Sequence, residues 1–333
     1  MSRAAVVAGI GSCLPPRAVS NAELSARLDT TDEWIRTRTG IARRWHSDAG
    51  MATSDLAVGA GANALKSANE SIVDTVIVAT TTPDRPCPGT APLVASKLGM
   101  TGAAAFDVGA VCTGFLYGLA TGAGLIATGS ADRVLVIGAE TFSSILDPAD
   151  RSTSVIFGDG AGAVVLRAGE ASEDGAIGHC DLGSDGAGQD LITVRAGGSA
   201  QRLSGVAPEP GDAYFAMAGK EVFWRAVQRM AESCRGVLNV TGTRIDEIDW
   251  LVGHQANQRI LDRLADDLGV PRDRCVTNLA EVGNTAAASI PLALDHAHVA
   301  GTLRAGDRVL LTAFGGGLTW GSTVLTWPAL KRG

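Results

Sequence analysis

The chain has 333 residues, of which 46% are hydrophobic and 19% are charged, and its formal net charge is −7 at pH 7. This composition excludes an intrinsically disordered chain, because the apolar content is ample for a large core. The acidic balance argues against a nucleic-acid-binding protein, which would normally present a basic surface. The length predicts a soluble globular protein with about two structural units of roughly 150 residues each, or with one large compact α/β body.

The N-terminal residues MSRAAVVAGIGSCLPP resemble a short secretory signal peptide. Their apolar part is short and contains two glycines, and a convincing cleavage site is missing. We therefore expect a first β-strand at 4–8 and a cytoplasmic protein. Ser20 with Glu23, and Thr30 with Glu33, have the spacing of capping boxes, which predicts two helix starts.

Short apolar runs rich in β-branched residues continue along the chain and predict buried strands. After the first, they lie at 75–79, 134–137, 163–166, 250–252, 309–311 and 322–325. Helical stretches such as 220–238 lie between them, and this alternation predicts an α/β fold with parallel or mixed sheets. The stretch 170–212, rich in Gly, Ser, Asp and Pro, is predicted to be a loop between halves 1–170 and 171–333.

The segment 109–129 carries no charged residue and is long enough to span a bilayer. Gly114, Gly118 and Gly122 also match the spacing of small residues in packed membrane helices. Threonine and glycine dilute its hydrophobicity, however, and no second such segment exists. We therefore predict a helix buried in the middle of the protein, and no contact with a membrane.

The two halves contain a weak internal repeat. In each half a strand leads through a loop to a tight turn, then to a helix of small residues, and then to a strand that begins Asp-Arg-Val, at Asp132 and at Asp307. This order predicts a duplicated fold whose copies pack pseudo-symmetrically. Cys112 and Asn284 would then occupy equivalent places at the starts of two helices, and small residues would let those helices approach each other closely.

Cys112 is the best nucleophile candidate among the six cysteines, which form no CxxC pair and no metal-like spacing. The unpaired N–H groups and the dipole of a helix N-terminus would lower the pKa of its thiol. His254 follows a strand-like run, a position where functional side chains often emerge, and is the candidate partner; the alternative is a bystander histidine.

Glycine-rich runs allow more than one interpretation. GDGAG at 158–162 and GIGSCL near the N-terminus lack the full dinucleotide-binding fingerprint and predict close-packed turns. FGGG at 314–317 follows a strand and either supplies N–H groups for an oxyanion hole or forms only a tight turn.

Three motifs together resemble the Cys–His–Asn triad of the β-ketoacyl-acyl-carrier-protein synthase III family: Cys112 in DVGAVCTGF, His254 in GHQAN and Asn284 in GNTAAASIPLAL. TDEWIRTRTGI at 31–41, DPADRST at 147–153, FGDGAGAVVL at 157–166 and AFGGGLTWGS at 313–322 resemble other signatures of that family. The motifs follow the family's order almost from end to end. The resemblance implies a thiolase-like α/β fold, with two duplicated βαβαβαββ halves in five α-β-α-β-α layers, usually as a homodimer.

The resemblance also implies a ketosynthase-type acyltransferase that uses acyl-CoA and malonyl-ACP (malonyl on an acyl carrier protein), with no cofactor and no metal. Cys112 would take the acyl group from acyl-CoA, and its own N–H and that of Gly316 would form the oxyanion hole. His254 and Asn284 would bind the malonyl thioester oxygen while carbon dioxide leaves and the enolate attacks the acyl group. The β-ketoacyl-ACP product would initiate a fatty-acid or polyketide chain.

Further site residues follow from their positions in the matching motifs. Those implied to bind CoA and its pantetheine arm are Trp34, Arg38, Arg151, Gly219 and Asn257. Those implied to line the acyl pocket are Cys87, Phe142 and Phe157. Those left to form a positive patch for docking of the acidic carrier protein are Arg225, Arg229, Arg259 and Arg263.

Departures from the family's pattern bear on both substrates. Trp224, Asp266 and Asp267 stand where the family often has lysines, which weakens the predicted carrier-protein surface. Cys87 stands where relatives commonly carry a bulky aromatic that caps the neighbouring subunit's acyl pocket. It therefore predicts a starter larger than acetyl, although the Phe142 ring would occupy part of the space in the acyl pocket. The alternative function is acyl transfer from Cys112 to an alcohol or amine in a specialised-metabolite pathway.

Overall fold

The computed structural model describes residues 3–331, in which strands and helices alternate along the chain. The strands are β1 (Arg3–Cys13), β2 (Arg17–Ser20), β3 (Arg43–His46), β4 (Thr75–Ala79), β5 (Ala104–Val108), β6 (Arg133–Glu140), β7 (Gly160–Glu170), β8 (Cys180–Ser184), β9 (Ile192–Val194), β10 (Phe215–Met217), β11 (Trp250–Gly253), β12 (Arg308–Gly315) and β13 (Thr319–Thr326). The helices are α1 (Asn21–Ser25), α2 (Asp32–Thr39), α3 (Thr53–Ala68), α4 (Ala91–Lys97), α5 (Gly114–Ala127), α6 (Arg151–Ser154), α7 (Ser199–Leu203), α8 (Gly219–Thr241), α9 (Gln258–Leu268), α10 (Leu279–Val282) and α11 (Ser289–Val299). Every strand predicted from the sequence lies within one of these strands, which confirms the α/β architecture.

Two mixed sheets form the frame of the protein. The first sheet has the order β1-β7-β6-β4-β5, in which β5, β4 and β6 run parallel and β7 is antiparallel to both of its neighbours. The second sheet has the order β11-β12-β13-β8, in which only β11 and β12 run parallel. The last strand of the first sheet along the chain, β7, ends at Glu170. The division of the protein into duplicated halves at that residue stays a prediction.

The helices and sheets form five layers. Helices α3 and α4 pack on one face of the first sheet, and α8 and α9 pack on the far face of the second. Helices α5 and α11 lie between the sheets, where Phe115 and Ile290 share one core with Val136 of the first sheet and Leu311 of the second. Burying both faces of each sheet explains why their central strands read as nearly continuous apolar runs.

The uncharged segment 109–129 contributes the 14-residue helix α5 to the central layer. Between residues 3 and 331, no helix combines the length and the apolar character that crossing a bilayer requires. The prediction of a buried central helix is therefore confirmed.

The stretch 170–212 is not a plain loop, and that prediction is wrong. It contains β8, which is the edge strand of the second sheet, together with β9 and the short helix α7. The sequence of β8, CDLGS, has no β-branched residue and no clear alternation. Its pairing with β13, and not its own propensity, makes this segment a strand.

One of the two predicted helix caps is displaced. The Ser20 hydroxyl accepts a hydrogen bond from the Glu23 N–H at 3.2 Å, as predicted for the start of α1. At α2 the capping residue is Thr31 instead of Thr30, because the Thr31 hydroxyl accepts the Trp34 N–H at 3.1 Å. Adjacent threonines have the same capping chemistry, so the sequence alone placed this helix one residue too early.

The backbone repeats between the halves in detail. The Asp74 N–H donates to the Arg133 carbonyl, and the Asp74 carboxylate accepts the Arg133 N–H at 2.8 Å. Asp249 makes the same two hydrogen bonds with Arg308, again with a carboxylate distance of 2.8 Å. Each aspartate thereby ties the start of a parallel strand to the strand beside it.

The same repeat corrects the predicted equivalence of Cys112 and Asn284. The turns before α5 and α11 both begin at a residue with positive φ, 47° at Val111 and 44° at Ala286. Val111 and Ala286 are as far apart along the chain as Asp74 and Asp249 are. Cys112 therefore corresponds to Ala287, and Asn284 lies ahead of the matching turn, so the predicted equivalence is wrong.

The glycines of α5 set the distance from this helix to the first sheet. A Cβ added at Gly118 would lie 2.8 Å from Val136 Cγ1, and one added at Gly122 would lie 3.1 Å from a leucine of β7. Only Gly114, at the start of the helix, approaches the other half, where the Ala287 Cβ would be 3.6 Å away. The prediction that this stripe lets two helices approach each other is therefore wrong.

Two identical substitutions in α5 test this packing. Gly124→Ala adds a methyl group where no atom lies within 4 Å, so we expect it to raise the free energy of unfolding by up to ~1 kcal/mol through helix propensity. Gly118→Ala should instead lower it by about 1 kcal/mol or more, because overpacking outweighs that gain. Urea denaturation of both variants measures the difference. Equal stabilisation by the two substitutions would show that Gly118 is not held against the sheet.

Candidate active site

Cys112 lies in the 3-10 turn Val111–Thr113, which leads into α5. Its side chain is 8% exposed and lines a cavity of about 580 Å³. The end of β12 closes over the turn, since a Cβ added at Gly315 would lie 2.8 Å from the Cys112 N atom. The packing therefore holds the thiol at the inner end of the cavity.

His254 directly follows β11, as the sequence predicted. Its ring is buried, and Nδ1 lies 2.6 Å from the Ser289 Oγ at the start of α11. Burial lowers the pKa of His254 to about 3, so the ring is neutral at neutral pH. Because Nδ1 is engaged by Ser289, Nε2 is the ring nitrogen left for a ligand.

Asn284 is fixed through its backbone and its side-chain oxygen. Its N–H donates to the Ile156 carbonyl, and its own carbonyl accepts the Gly158 N–H, each at 2.9 Å. The side-chain Oδ1 accepts the Ala286 N–H at 2.9 Å. The amide Nδ2 is therefore the group that Asn284 offers to the cavity it lines.

The cavity brings the predicted triad together with four of the five residues predicted to bind CoA and with Phe157 of the predicted acyl pocket. Its lining includes Cys112, His254, Asn284, Phe157, Trp34, Arg38, Gly219 and Asn257. It also includes Ile192 and Phe215, which sequence reasoning missed because they lie in the small sheet formed by β9 and β10. No motif in the sequence marked that sheet.

Three of the predicted CoA-binding residues cluster at the outer part of the cavity. The guanidinium carbons of Arg151 and Arg38 lie 5.3 Å and 5.9 Å from the centre of the Trp34 ring. Asn257 caps α9 by accepting the Arg259 N–H, and it donates to the Arg38 carbonyl at 3.0 Å. The planar groups thus form a stacking surface at the entrance.

The residues predicted for the acyl pocket separate into two places. Phe142 and Phe157 stack with ring centres 4.3 Å apart, and the Phe215 ring meets both edge-on at 5.0 Å. This aromatic cluster shares one core with Cys112. Cys87 is exposed and is not among the residues that line the cavity.

The predicted oxyanion-hole segment lies against the nucleophile's turn. A Cβ at Gly315 would meet the Cys112 backbone, and one at Gly316 would lie 3.1 Å from Ile192 Cγ2. Glycine is required at 315 because backbone atoms cannot move aside as a flexible side chain can. The role of the Gly316 N–H stays a prediction.

The arginines predicted for carrier-protein docking are mostly paired with carboxylates. Arg225 pairs with Glu221 and Asp185, Arg229 with Glu232, and Arg263 with Asp267. Arg259 lines the cavity and forms no ion pair within residues 3–331. The positive patch is therefore weaker than the number of arginines implies.

The thiol of Cys112 differs from the sequence-based expectation. Burial raises its pKa, and the nearby Glu140 carboxylate raises it further, so the predicted lowering is wrong for the free protein. The loss of hydration outweighs the effect of the helix start, because the sulfur is buried and α5 begins only two residues later. Within residues 3–331, no group of three or more His, Cys, Asp and Glu side chains is arranged to hold a metal ion.

The lowered pKa of His254 predicts how stability depends on pH. Between about pH 6.5 and 3, the unfolded chain binds a proton at this residue that the folded chain does not bind. Stability should therefore fall with falling pH, by up to about 1.4 kcal/mol per pH unit from this group. His254→Gln should show a shallower decline between pH 6.5 and 4 in urea denaturation, whereas His296→Gln, at an exposed position, should keep the slope of the original protein. Identical slopes for all three proteins would mean that His254 is not buried as a neutral ring.

Comparison with known proteins identifies the family. Residues 106–186 match the model for 3-Oxoacyl-[acyl-carrier-protein (ACP)] synthase III, and residues 238–327 match the model for the C-terminal part of the same family. A Streptomyces coelicolor protein named beta-ketoacyl-[acyl-carrier-protein] synthase III 3 is 67% identical over 332 residues, which cover 99% of both chains.

Solved structures agree with this assignment. The crystal structure of 3-oxoacyl-(acyl carrier protein) synthase III from Pseudomonas aeruginosa PAO1 has a TM-score of 0.93 at 51% identity, covering 98% of this chain and 99% of that one. The priming β-ketosynthase from the R1128 polyketide biosynthetic pathway has a TM-score of 0.91 at 35% identity, covering 98% and 97%. These likenesses confirm the predicted thiolase-like fold. The chain therefore belongs to the 3-oxoacyl-acyl-carrier-protein synthase III family and is an acyltransferase of the β-ketoacyl-acyl-carrier-protein synthase III type.

Proposed function

We propose that this enzyme loads an acyl group from acyl-CoA onto Cys112 and condenses it with malonyl-ACP, releasing carbon dioxide and a β-ketoacyl-ACP. The observation that carries the proposal is the convergence of three groups on one cavity: the Cys112 thiol, the free Nε2 of His254 and the free amide of Asn284. The Trp34 stacking surface at the entrance suits the nucleotide of CoA. The product primes a fatty-acid or polyketide chain.

The first stage transfers the acyl group. The Cys112 sulfur attacks the thioester carbonyl of acyl-CoA, and the C–S bond to CoA breaks as the new thioester forms. The thiol proton leaves with the CoA sulfur, so no net charge develops. The N–H groups of Cys112 and Gly316 hold the oxygen of the tetrahedral intermediate.

The second stage forms the carbon–carbon bond. Malonyl-ACP places its thioester oxygen between His254 Nε2 and Asn284 Nδ2, and the electrons of the breaking C–CO₂ bond move into the enolate. The enolate carbon then attacks the acyl thioester carbonyl, and the Cys112 sulfur leaves as a thiolate that takes up a proton from solvent. If Ser289 donates its hydroxyl proton to Nδ1, the ring proton is on Nε2, which makes His254 a donor to the enolate oxygen.

The protonation state of His254 supports condensation over acyl transfer to an alcohol or amine. Activating a hydroxyl or an ammonium group requires a general base whose pKa lies near the working pH. Burial holds the pKa of His254 at about 3, which makes it a poor base; with its proton on Nε2, the neutral ring is a hydrogen-bond donor. Decarboxylation needs donors only, because the loss of carbon dioxide itself generates the carbanion.

The starter is proposed to be larger than acetyl. In a homodimer, the exposed Cys87 of one subunit would face the acyl pocket of the other, where relatives place a bulky aromatic. Within the subunit that carries the pocket, the wall is an aromatic cluster in which Phe157 and Phe215 line the cavity and Phe142 packs against both. Propionyl, branched or medium-chain groups fit this arrangement, since a thiol leaves room that an aromatic ring would fill.

Docking of the carrier protein is proposed to rest mainly on Arg259 at the entrance. The paired arginines Arg225, Arg229 and Arg263 contribute less, because each is already engaged by a carboxylate. Trp224, which is 56% exposed and lines the outer cavity, supplies apolar area there. The acidic carrier protein is the partner that this small positive surface suits.

Asn284→Asp tests the condensation. The carboxylate can still accept the Ala286 N–H but cannot donate to the thioester oxygen, so carbon dioxide release from malonyl-ACP should fall about 10²–10³-fold. Acylation of Cys112 by acyl-CoA, followed as a mass increase of the intact protein, should continue. Cys112→Ser serves as the control that loses the acyl-enzyme. Unchanged carbon dioxide release in Asn284→Asp would overturn the proposed role of the amide and, with it, the condensation.

The starter proposal is tested by exposing the protein to an equimolar mixture of acetyl-, propionyl-, isobutyryl- and hexanoyl-CoA. Mass spectrometry of the peptide that contains Cys112 then reads which acyl group is loaded. A donor larger than acetyl should dominate, and Cys87→Phe should shift the preference toward acetyl. A preference of the unmodified protein for acetyl by about tenfold or more, the discrimination that a methylene or two can produce, would contradict the proposal.

A further inference from the structure

Glu140 is a fully buried carboxyl group that no step of the proposed reaction uses. It is the last residue of β6, and its exposure is 0%. Burying an ionised carboxyl without a counter-ion is unfavourable unless hydrogen bonds hold it. Its presence near the nucleophile therefore requires a physical explanation.

Groups from two segments, the loop after β4 and the turn before α11, surround the carboxylate. The Thr81 N–H donates to both oxygens, at 3.0 and 3.2 Å, and the Thr82 hydroxyl donates to Oε2 at 2.6 Å. The Ala287 N–H, from the turn before α11, also stabilises the charged form. Glu140 takes part in none of the ion pairs found within residues 3–331. Its charge is therefore solvated by dipoles and is not neutralised by a cation.

The repeat of the fold places Glu140 in a distinctive position. Glu140 ends β6 as Gly315 ends β12, and each strand end meets the helix-start turn of the other half. Gly315 touches Cys112, whereas Glu140 reaches the corresponding Ala287. The two turns also contact each other, so the carboxylate lies one turn away from the thiol.

Few other titratable groups face this carboxylate. In the loop after β4, Thr81 and Thr82 meet the carboxylate, while Asp84 of the same loop accepts the Ser54 N–H at 2.9 Å; the turn Ala286–Ala288 offers alanines. Asp159, before β7, accepts the Ser47 N–H and the Ser143 N–H, at 2.7 and 2.8 Å. Cys112 is the titratable neighbour across the turn, and beyond it His254 is neutral.

These surroundings place the titration of Glu140 in the neutral range. Burial raises its pKa to about 7, and the hydrogen bonds from Thr82 and Thr81 oppose the increase. Below that pH the carboxyl is neutral, and above it a negative charge lies beside the thiol. A negative charge opposes formation of a second one nearby, so the two groups titrate as a coupled pair.

We propose that Glu140 is a positioning residue that ties the end of β6 to the loop after β4 and to the turn before α11, and that its negative charge adds to burial in opposing formation of the Cys112 thiolate in the free enzyme. The thiolate is the form of the sulfur that reacts with electrophiles and oxidants. Above neutral pH the carboxylate would therefore lower the reactivity of the sulfur in the free enzyme. This inference rests on the proposed function only in taking Cys112 as the nucleophile.

Glu140→Gln tests the proposal because it removes the charge and keeps the shape. The measurement is the rate at which iodoacetamide alkylates Cys112, followed by peptide mass spectrometry, with the exposed Cys87 as the internal reference in each sample. The ratio of the variant's rate to that of the unmodified protein should be close to one at about pH 5.5. It should rise to about threefold or more at about pH 8.5, where Glu140 would carry its charge.

Asp159→Asn is the matched control, since it neutralises another carboxyl of 0% exposure, which is held by the Ser47 and Ser143 N–H groups. The ratio of its Cys112 alkylation rate to that of the unmodified protein should not change with pH. A purely structural role for Glu140 would give a variant with lower thermal stability and a rate ratio independent of pH, and that result would overturn the proposal.

Thr82→Val decides the question if Glu140→Gln does not fold. It keeps the carboxyl group but removes the 2.6 Å hydrogen bond to it, which raises the pKa of Glu140 and delays its ionisation. Cys112 of this variant should react faster than in the unmodified protein between about pH 7 and 8, and equally fast at about pH 5.5. An unchanged profile would overturn the proposal. Alkylation uses no acyl donor, so loss of the proposed condensation leaves this test intact.

Discussion

The active site depends on two reciprocal contacts in which the end of a central strand meets the helix-start turn of the other half. At the end of β12, a Cβ on Gly315 would lie 2.8 Å from the Cys112 N atom. On β6, a Cβ on Gly138 would lie 2.3 Å from the Ala287 carbonyl oxygen. Because backbone atoms lie on the far side of both contacts, neither position has room for a side chain. Each half therefore closes the turn of the other, and the cavity is complete only when both halves are folded.

The same close packing determines the protonation states at the bottom of the cavity. Removing water raises the pKa of the Cys112 thiol and lowers that of the His254 ring, so both groups are neutral near pH 7. Chemistry in such a place proceeds through hydrogen-bond donors whose orientation is fixed before the substrate binds. Ser289 and Ala286 provide that orientation by occupying the other polar atom of His254 and of Asn284.

The sequence predicted the parts of this protein that follow from local pattern. The buried strands have apolar runs because both faces of each sheet are covered, and the triad residues stand in motifs specific enough to indicate the family. The strand β8 escaped prediction because pairing with β13 creates it. The thiol pKa was predicted with the wrong sign because the helix-end argument omits desolvation, which depends on what the whole chain packs around the sulfur. Phe215 and Glu140 escaped for the same reason, since only tertiary structure brings them to the site.

A duplicated fold raises the question of why only one of its two helix-start turns carries a catalytic residue. The turns match in conformation, and each faces the end of a strand from the other half. At the turn of Cys112 the strand end is Gly315, whose missing side chain lets the backbone of that turn pack directly against β12. At the turn of Ala287 the strand end is Glu140, and the corresponding N–H stabilises the charged form of its carboxyl group. The second turn is thus met by a carboxyl group of the protein itself. The residue at the end of each strand therefore distinguishes the two turns: Gly315 leaves the turn of Cys112 free for the proposed oxyanion hole, whereas Glu140 meets the turn of Ala287.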